Sequence, residues 1–238
     1  MDLRARIGYT SVAYVTEIFP KVFYEIVPDG VLLQLLTQQV ISHENRNMKR
    51  SHDDAKVAAA SFARAGADMV ILGGVPTNLS RGRRALDETL RSISEEIGVP
   101  VSSSATAQSN ALATLGAKRV GVVHPSNTER DGKHADQLRD DELEAMGVKA
   151  AGTSPEDYNR IPPASALNLG RSLLKERPEI DTLLYSCPHW MVTHAIEPLE
   201  QEFGVNVVTS LQAICWEGMR KCGILDSIEG YGKLLREH

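Results

Sequence analysis

The sequence predicts an α/β protein made of two similar αβ units, each a parallel sheet covered by helices. Three observations predict it. Short aliphatic runs alternate along the whole chain with longer stretches whose apolar residues recur at i, i+3 and i+4. The aliphatic runs are unbroken rather than alternating, as strands buried on both faces require. The order of features in the first half is also met again in the second.

Taken in order, the strands are Arg6-Ile-Gly-Tyr, Val31-Leu-Leu-Gln-Leu-Leu, Asp68-Met-Val-Ile-Leu, Val99-Pro-Val, Arg119-Val-Gly-Val-Val, Val148-Lys-Ala-Ala, Asp181-Thr-Leu-Leu-Tyr and Val205-Asn-Val-Val. Helical patterns cover 53–65, 83–97, 105–115, 136–146, 166–176 and 211–222, and another helix begins near Thr193. The stretch 153–163 carries three prolines and reads as a loop. We draw the first unit as 1–116 with 215–238 and the second as 117–214. Gly230-Tyr231-Gly232 is expected to be a turn closing over the first unit. In open parallel sheets ligands lie beyond the carboxyl ends of the strands, so the residues just past each strand matter most for function.

Composition narrows the function classes. The 238 residues suit one large domain or two small ones. Hydrophobic residues at 42% and charged residues at 24% belong to a globular chain, and 5% aromatics imply an aliphatic core. A net charge of −5 leaves no basic face for phosphates, so no nucleic-acid partner is expected. No apolar run reaches the roughly 20 residues of a membrane helix, and the start lacks the apolar core of a signal peptide, so no membrane partner is expected. Three cysteines cannot pair evenly, and none has zinc-site spacing. The chain is read as cytoplasmic with reduced thiols.

The repeat points to a cysteine. Gly74 stands six residues after Asp68, and Cys187 stands six residues after Asp181. Ser104 and Ser210 likewise stand six residues after Gly98 and Gly204. Either the chain is duplicated, which would put each pair on opposite walls of one cleft, or both halves simply share the common grammar of αβ units. Cys187 follows a buried strand and precedes a helix. A thiol at such a turn is either a small buried hydrophobe or an acid–base group tuned by nearby N–H donors. Cys215 and Cys222 lie seven apart within one helical pattern and read as core residues.

Arg6-Ile-Gly-Tyr-Thr-Ser, Gly74-Val-Pro-Thr-Asn-Leu-Ser-Arg-Gly, Gly98-Val-Pro-Val-Ser-Ser-Ser-Ala-Thr-Ala, Leu115-Gly-Ala-Lys-Arg-Val-Gly-Val-Val, Leu184-Tyr-Ser-Cys and Gly230-Tyr-Gly-Lys-Leu together resemble the maleate isomerase and arylmalonate decarboxylase branch of the Asp/Glu racemase superfamily. The resemblance runs end to end. It implies two αβ domains related by a pseudo-twofold, with the active site in the cleft between them. It also implies a small carboxylic-acid substrate and no cofactor or metal; a homo-oligomer is left open. Racemases and isomerases of this superfamily have a cysteine on each wall, whereas the decarboxylase resemblance implies glycine on the first wall. This chain has Gly74 and Cys187.

One thiol serves one face. The expected function is therefore a cofactor-independent decarboxylase of a small substituted malonate-like acid, whose enolate Cys187 protonates. A maleate-isomerase-like cis–trans isomerase or an Asp/Glu-type racemase is the alternative, and a catalytically inactive small-carboxylate binding protein the third. An enolate needs donors aimed at its oxyanion. The candidates are Gly74, Val75, Thr77, Asn78, Ser126, Asn127, Thr10 and Ser11, with Ser104 and Thr106 behind them; each hydroxyl has helix capping as its ordinary duty. The chain departs from the family pattern in three places. Val75-Pro76 stands for Thr-Ser, Ser126 stands where the family usually has a tyrosine, and Pro188-His189 stands for Gly-Gly, which removes a backbone donor. His189 and His124 are possible assisting groups. Arg81-Gly-Arg-Arg reads as an anion clamp or as a solvated face.

Overall fold

The computed structural model describes residues 2–12, 16–38, 45–78 and 82–238. The chain divides into two compact units, Met1–Ala107 with Ile214–Asp226, and Gln108–Ala213 with Ser227–His238. Every aliphatic run named above overlaps a strand, though Val99 and Pro100 precede theirs, which begins at Val101.

In the first unit, β1 (Ala5–Ser11), β2 (Val31–Thr37), β3 (Met69–Leu72) and β4 (Val101–Ser103) form a parallel sheet in the order β2-β1-β3-β4. Helix α1 (Ile18–Ile26) forms because Ile18, Phe19, Val22, Phe23 and Ile26 share one face, which it buries. The Phe19 ring stacks on Tyr9 of β1 with centroids 3.9 Å apart. Full burial of each such side chain is worth about 1.5–3 kcal/mol. On another cluster, Phe62 and the alanines of α2 (Asn45–Arg64) meet Leu86, Leu90 and Ile93 of α4 (Arg83–Ile97). The short α3 (Val75–Asn78) follows β3 directly, and α5 (Ser104–Thr114) follows β4.

The second unit repeats the plan. Strands β5 (Arg119–His124), β6 (Glu144–Ala150), β7 (Thr182–Tyr185) and β8 (Asn206–Thr209) are again all parallel, in the order β6-β5-β7-β8. Helices α6 (Asp131–Asp140), α7 (Pro163–Glu176) and α8 (Ile196–Phe203) connect them, and α9 (Ser210–Lys221) and α10 (Gly232–Glu237) complete the chain.

The repeated residues have repeated duties. The Asp68 carboxylate accepts the Arg6 N–H at 2.8 Å, and the Asp181 carboxylate accepts those of Lys118 and Arg119 at 3.1 and 2.9 Å. Each aspartate thus clips the start of the third strand of its unit to the start of the first. Gly98 and Gly204 end α4 and α8 with φ of 69° and 68°, a left-handed turn that favours glycine.

Two expectations differ from what is observed. The helix read over 136–146 occupies 131–140, and β6 already begins at Glu144. Glu142, at φ 59°, turns the chain out of the helix first, so Met146 packs as a strand residue. The tail after Asp226 belongs with the second unit rather than the first. Glu200 of α8 accepts the Lys233 N–H, and Gln212 donates to the Tyr231 carbonyl at 2.5 Å. Burial holds the Glu200 carboxyl above its ordinary range, against the opposing pull of the backbone N–H groups of Val207 and Lys233. No helix among the described residues is long and apolar enough to cross a membrane.

Candidate active site

Cys187 lies just past β7. The Ser186 N–H donates to the Val123 carbonyl at 3.0 Å, which extends the β5–β7 pairing by one residue and fixes where the thiol begins. Pro188 supplies no N–H, so the next donor along the chain is that of His189, which points back to the Cys187 Sγ at 3.4 Å. A hydrogen bond donated to sulfur stabilises the charge of a thiolate. The thiol is half-buried and packs against an apolar cluster that contains Trp190, Val192 and Ile196. Trp190 presses edge-on to Tyr185 at 6.0 Å.

The other two thiols differ in kind. Cys215 is fully buried, and burial pushes its thiol far up. Cys222 is half-buried, and burial, with a smaller contribution from Asp68, pushes it up to about 11. Both stay protonated at neutral pH.

Beside the Cys187 turn runs the segment after β5. Ser126 is buried, and its Oγ hydrogen-bonds the Tyr158 hydroxyl. Tyr158 comes from a 3-10 turn, Pro155–Arg160, inside the stretch that reads in sequence as a loop. Three backbone bonds strap that stretch down: Ala151 N–H to His124 O, Gly152 N–H to Ser126 O and Thr153 N–H to Pro125 O, at 2.9, 3.0 and 2.9 Å. Where the resemblance left a serine in place of a tyrosine, the fold thus brings a tyrosine hydroxyl to that serine. Sequence reasoning missed Tyr158, although the rule that matters most past strand ends applies to β6 as well. From the same stretch and the start of α7, Thr153, Asp157, Arg160, Ile161, Ser165 and Leu169 help to line a groove of about 480 Å³. None of the sequence-predicted residues lines it.

Two predicted residues of this unit stand apart. Asn127 is exposed and donates to Glu129 at 3.3 Å. His124 is buried, and its Nε2 meets Asp131 Oδ1 at 2.8 Å, with the His134 ring 4.5 Å away. Side chains alternate along a strand. Val123 enters the cluster shared by Tyr185 and Trp190, so His124 takes the opposite face of the sheet.

In the first unit the corresponding turn is closed by its own bonds. The Gly73 N–H donates to Thr10 Oγ1 at 2.8 Å, and a β-carbon on Gly73 would lie 1.8 Å from the Thr10 carbonyl oxygen. Gly74 has φ 86°, and its carbonyl accepts the Asn78 N–H at 2.8 Å. The Asn78 amide nitrogen turns back toward the Leu72 and Gly74 carbonyls, 3.2 Å from each. Val75 is buried in the α2–α4 cluster. Ser11 ends β1, where its carbonyl accepts the Gln38 N–H at 2.6 Å. Ser103 Oγ caps the Thr106 N–H at 3.0 Å, and Ser104 is wholly buried at the head of α5. Thr77 lies in α3. Arg81 lies outside the described residues; of its neighbours, Arg84 is exposed and pairs with Glu88 at 3.1 Å. No group of three His, Cys, Asp or Glu among the described residues could hold a metal ion.

The two units thus share one strand order, with a thiol past the third strand of the second and glycines past the third strand of the first. A protein-family model described as arylmalonate decarboxylase matches residues 36–235, and the chain belongs to that family. It is 28% identical over 214 residues to the arylmalonate decarboxylase of Bordetella bronchiseptica, covering 89% of this chain and 82% of that protein. Among solved structures it is similar to a liganded, doubly substituted arylmalonate decarboxylase, with a TM-score of 0.90, 23% identity and coverage of 98% of this chain and 100% of that one. It is also similar to the maleate isomerase of Pseudomonas putida S16, with a TM-score of 0.85, 18% identity and 98% coverage of both chains. The kinship read from the sequence holds, with the decarboxylase and isomerase branch both represented.

Proposed function

We propose that this protein is a cofactor-independent decarboxylase of a small substituted malonate-like acid, with Cys187 as its single proton donor. The observation that carries this reading is the half-buried thiol past β7 with the His189 N–H on its sulfur, while the matching position in the first unit is Gly74. Family membership and the Bordetella relative support it.

The chemistry follows from one thiol. The bond from the α-carbon to one carboxyl breaks, its electron pair stays on that carbon and spreads into the remaining carboxyl, and CO₂ leaves. The Cys187 S–H then gives its proton to the α-carbon, and the thiolate takes a proton from water. An N–H aimed at sulfur eases the moment when the charge rests there. The enolate oxygens are received by donors past the strands. On the unit that carries Cys187, our candidate is Ser126, past the strand next to β7. In the first unit, Thr10 and Asn78 hold the turn at Gly73 and Gly74 in shape. A single acid protonates one face, so the product is one enantiomer.

The test is a panel of malonates and unsaturated diacids in D₂O, with CO₂ release and deuterium incorporation followed together. Methylmalonate or phenylmalonate should release CO₂ and take up one deuterium. Cys187→Ala should lower turnover by about 10²–10⁴-fold, the range for losing a general acid. Full turnover in that variant would overturn the reading. A second reading, cis–trans isomerisation, has the same N–H in its favour, because a stabilised thiolate is also a nucleophile that can add to a double bond and be expelled after rotation. Conversion of maleate without CO₂ release would establish it instead.

A further inference from the structure

We infer that Ser210 is a positioning residue for Cys187, because its hydroxyl holds the end of the strand from which the thiol turn springs. The inference deepens the reading above and rests on it for the role of the thiol.

The placement comes first. β7 pairs with β8 as far as Tyr185 and Thr209, since Ser210 already begins α9. Past that point a side chain takes over: the Ser210 Oγ–H donates to the Tyr185 carbonyl at 3.2 Å. On the other edge of β7 the Ser186 N–H donates to the Val123 carbonyl at 3.0 Å. The two residues before Cys187 are thus held from both sides, and Cys187 itself carries the His189 N–H on its sulfur. The head of α9 is fixed in turn. Thr209 and Gln212 exchange bonds as a capping box does, from the Thr209 N–H to Gln212 Oε1 at 3.0 Å and from the Gln212 N–H to Thr209 Oγ1 at 3.2 Å.

The roles within this network are settled by its donors. A carbonyl only accepts, so the Ser210 proton is committed to Tyr185 and its oxygen is left to accept. Gln108 Nε2 donates to that oxygen at 2.6 Å, and Gln137 Nε2 donates to Gln108 Oε1 at 3.5 Å. Gln137, Gln108 and Ser210 are all buried, where an orphaned polar group is costly. The repeat supplies a comparison. Ser104 stands at the same step after Gly98 as Ser210 after Gly204 and is as completely buried, yet its Oγ has no partner among the described residues. A duty common to all αβ units would show in both copies; this one goes with the thiol. The ionisable neighbours of Cys187 include His189 and, in the cluster behind it, the phenols of Tyr158 and Tyr185, and burial pushes Tyr185 far up.

The test reads the thiol directly, without substrate. Alkylation of Cys187 by iodoacetamide is followed against pH by mass spectrometry in the parent, Ser210→Ala, Gln108→Met and the double variant. A loosened Tyr185 carbonyl lets the thiol turn drift from the His189 N–H, so the midpoint should rise by about one pH unit in Ser210→Ala. Gln108→Met should raise it less, and the double variant no more than Ser210→Ala, because Gln108 acts through the serine. The melting temperature of Ser210→Ala should fall by about 3–6 °C, whereas that of Ser104→Ala should hold within about 1 °C. A midpoint that stays put in Ser210→Ala makes the serine purely structural and overturns the inference, as do shifts that add in the double variant. Where Ser210→Ala fails to fold, an unmoved midpoint in Gln108→Met overturns it instead. A shifted midpoint in a protein that releases CO₂ from no malonate would sink the decarboxylase reading alone.

Discussion

The turns that follow the third strand of each unit begin alike and end unlike. Both start from an aspartate that clips two strand starts together, and both run through a short buried strand. After β3 the chain spends its polar groups on itself: Thr10 holds Gly73, and Asn78 folds back on Leu72 and Gly74. After β7 the chain presents a thiol with an N–H on its sulfur, and a hydroxyl pair beside it. The lesson is that one strand order serves both units, with a thiol at one turn and a tight, glycine-shaped turn at the other.

Beyond the loss of turnover expected of Cys187→Ala, the strongest way to break this comparison is Gly73→Ala. Its methyl would collide with the Thr10 carbonyl, so we expect a loss of about 2–3 kcal/mol and a fall of roughly 5–10 °C in melting temperature. The counterpart position in the second unit is Ser186, which already carries a side chain, and Ser186→Ala should cost about 0.5 kcal/mol or less by urea unfolding. Equal losses at the two positions would erase the distinction between the turns.

A middle-sized effect is expected of Thr10→Val. It keeps the shape but leaves the Gly73 N–H without its acceptor, which costs about 1–2 kcal/mol in chemical denaturation.

The smallest effects are in pH dependence, and they have opposite signs in the two units. In the first, the hydrogen bond from Arg4, at 2.6–2.9 Å, holds the Asp226 carboxyl below its ordinary 3.8. That stabilisation is present above pH 3.8 and is lost as pH falls through the lowered value. In the second, burial raises Glu200 above its ordinary 4.5, so the folded state binds that proton more tightly than the unfolded one. Stability from this group is therefore gained as pH falls through the raised value toward 4.5. Melting curves from pH 7 to 3 should show Asp226→Asn losing stability at neutral pH and converging with the parent in acid. Glu200→Gln should match or exceed the parent at pH 7, with its advantage shrinking as the medium becomes acidic.

Much of the fold was legible because its strands are unbroken aliphatic runs, and the repeat was legible because Asp68 and Asp181, and Gly98 and Gly204, fall at matched steps. Their duties were not, since a clip is a contact across 62 residues and leaves no local pattern. The helix over 136–146 was misplaced for a local reason, because Glu142 ends it in a left-handed turn that its residue type does not advertise. Cys187, Ser126 and Gly74 could be named from their places past strand ends. Tyr158 could not be tied to Ser126, nor the last helix to Glu200, because each pairing joins segments separated by about thirty residues of intervening chain.

The division of the chain carries a consequence for biosynthesis. The first unit has its whole sheet by residue 103 yet is completed by Ile214–Asp226, and the second is completed only by Ser227–His238. The first half therefore waits on the ribosome for Ile214–Asp226, and the second for Ser227–His238. No single cut releases an intact half, and trimming the carboxyl end by a dozen residues should damage the thiol-bearing half first.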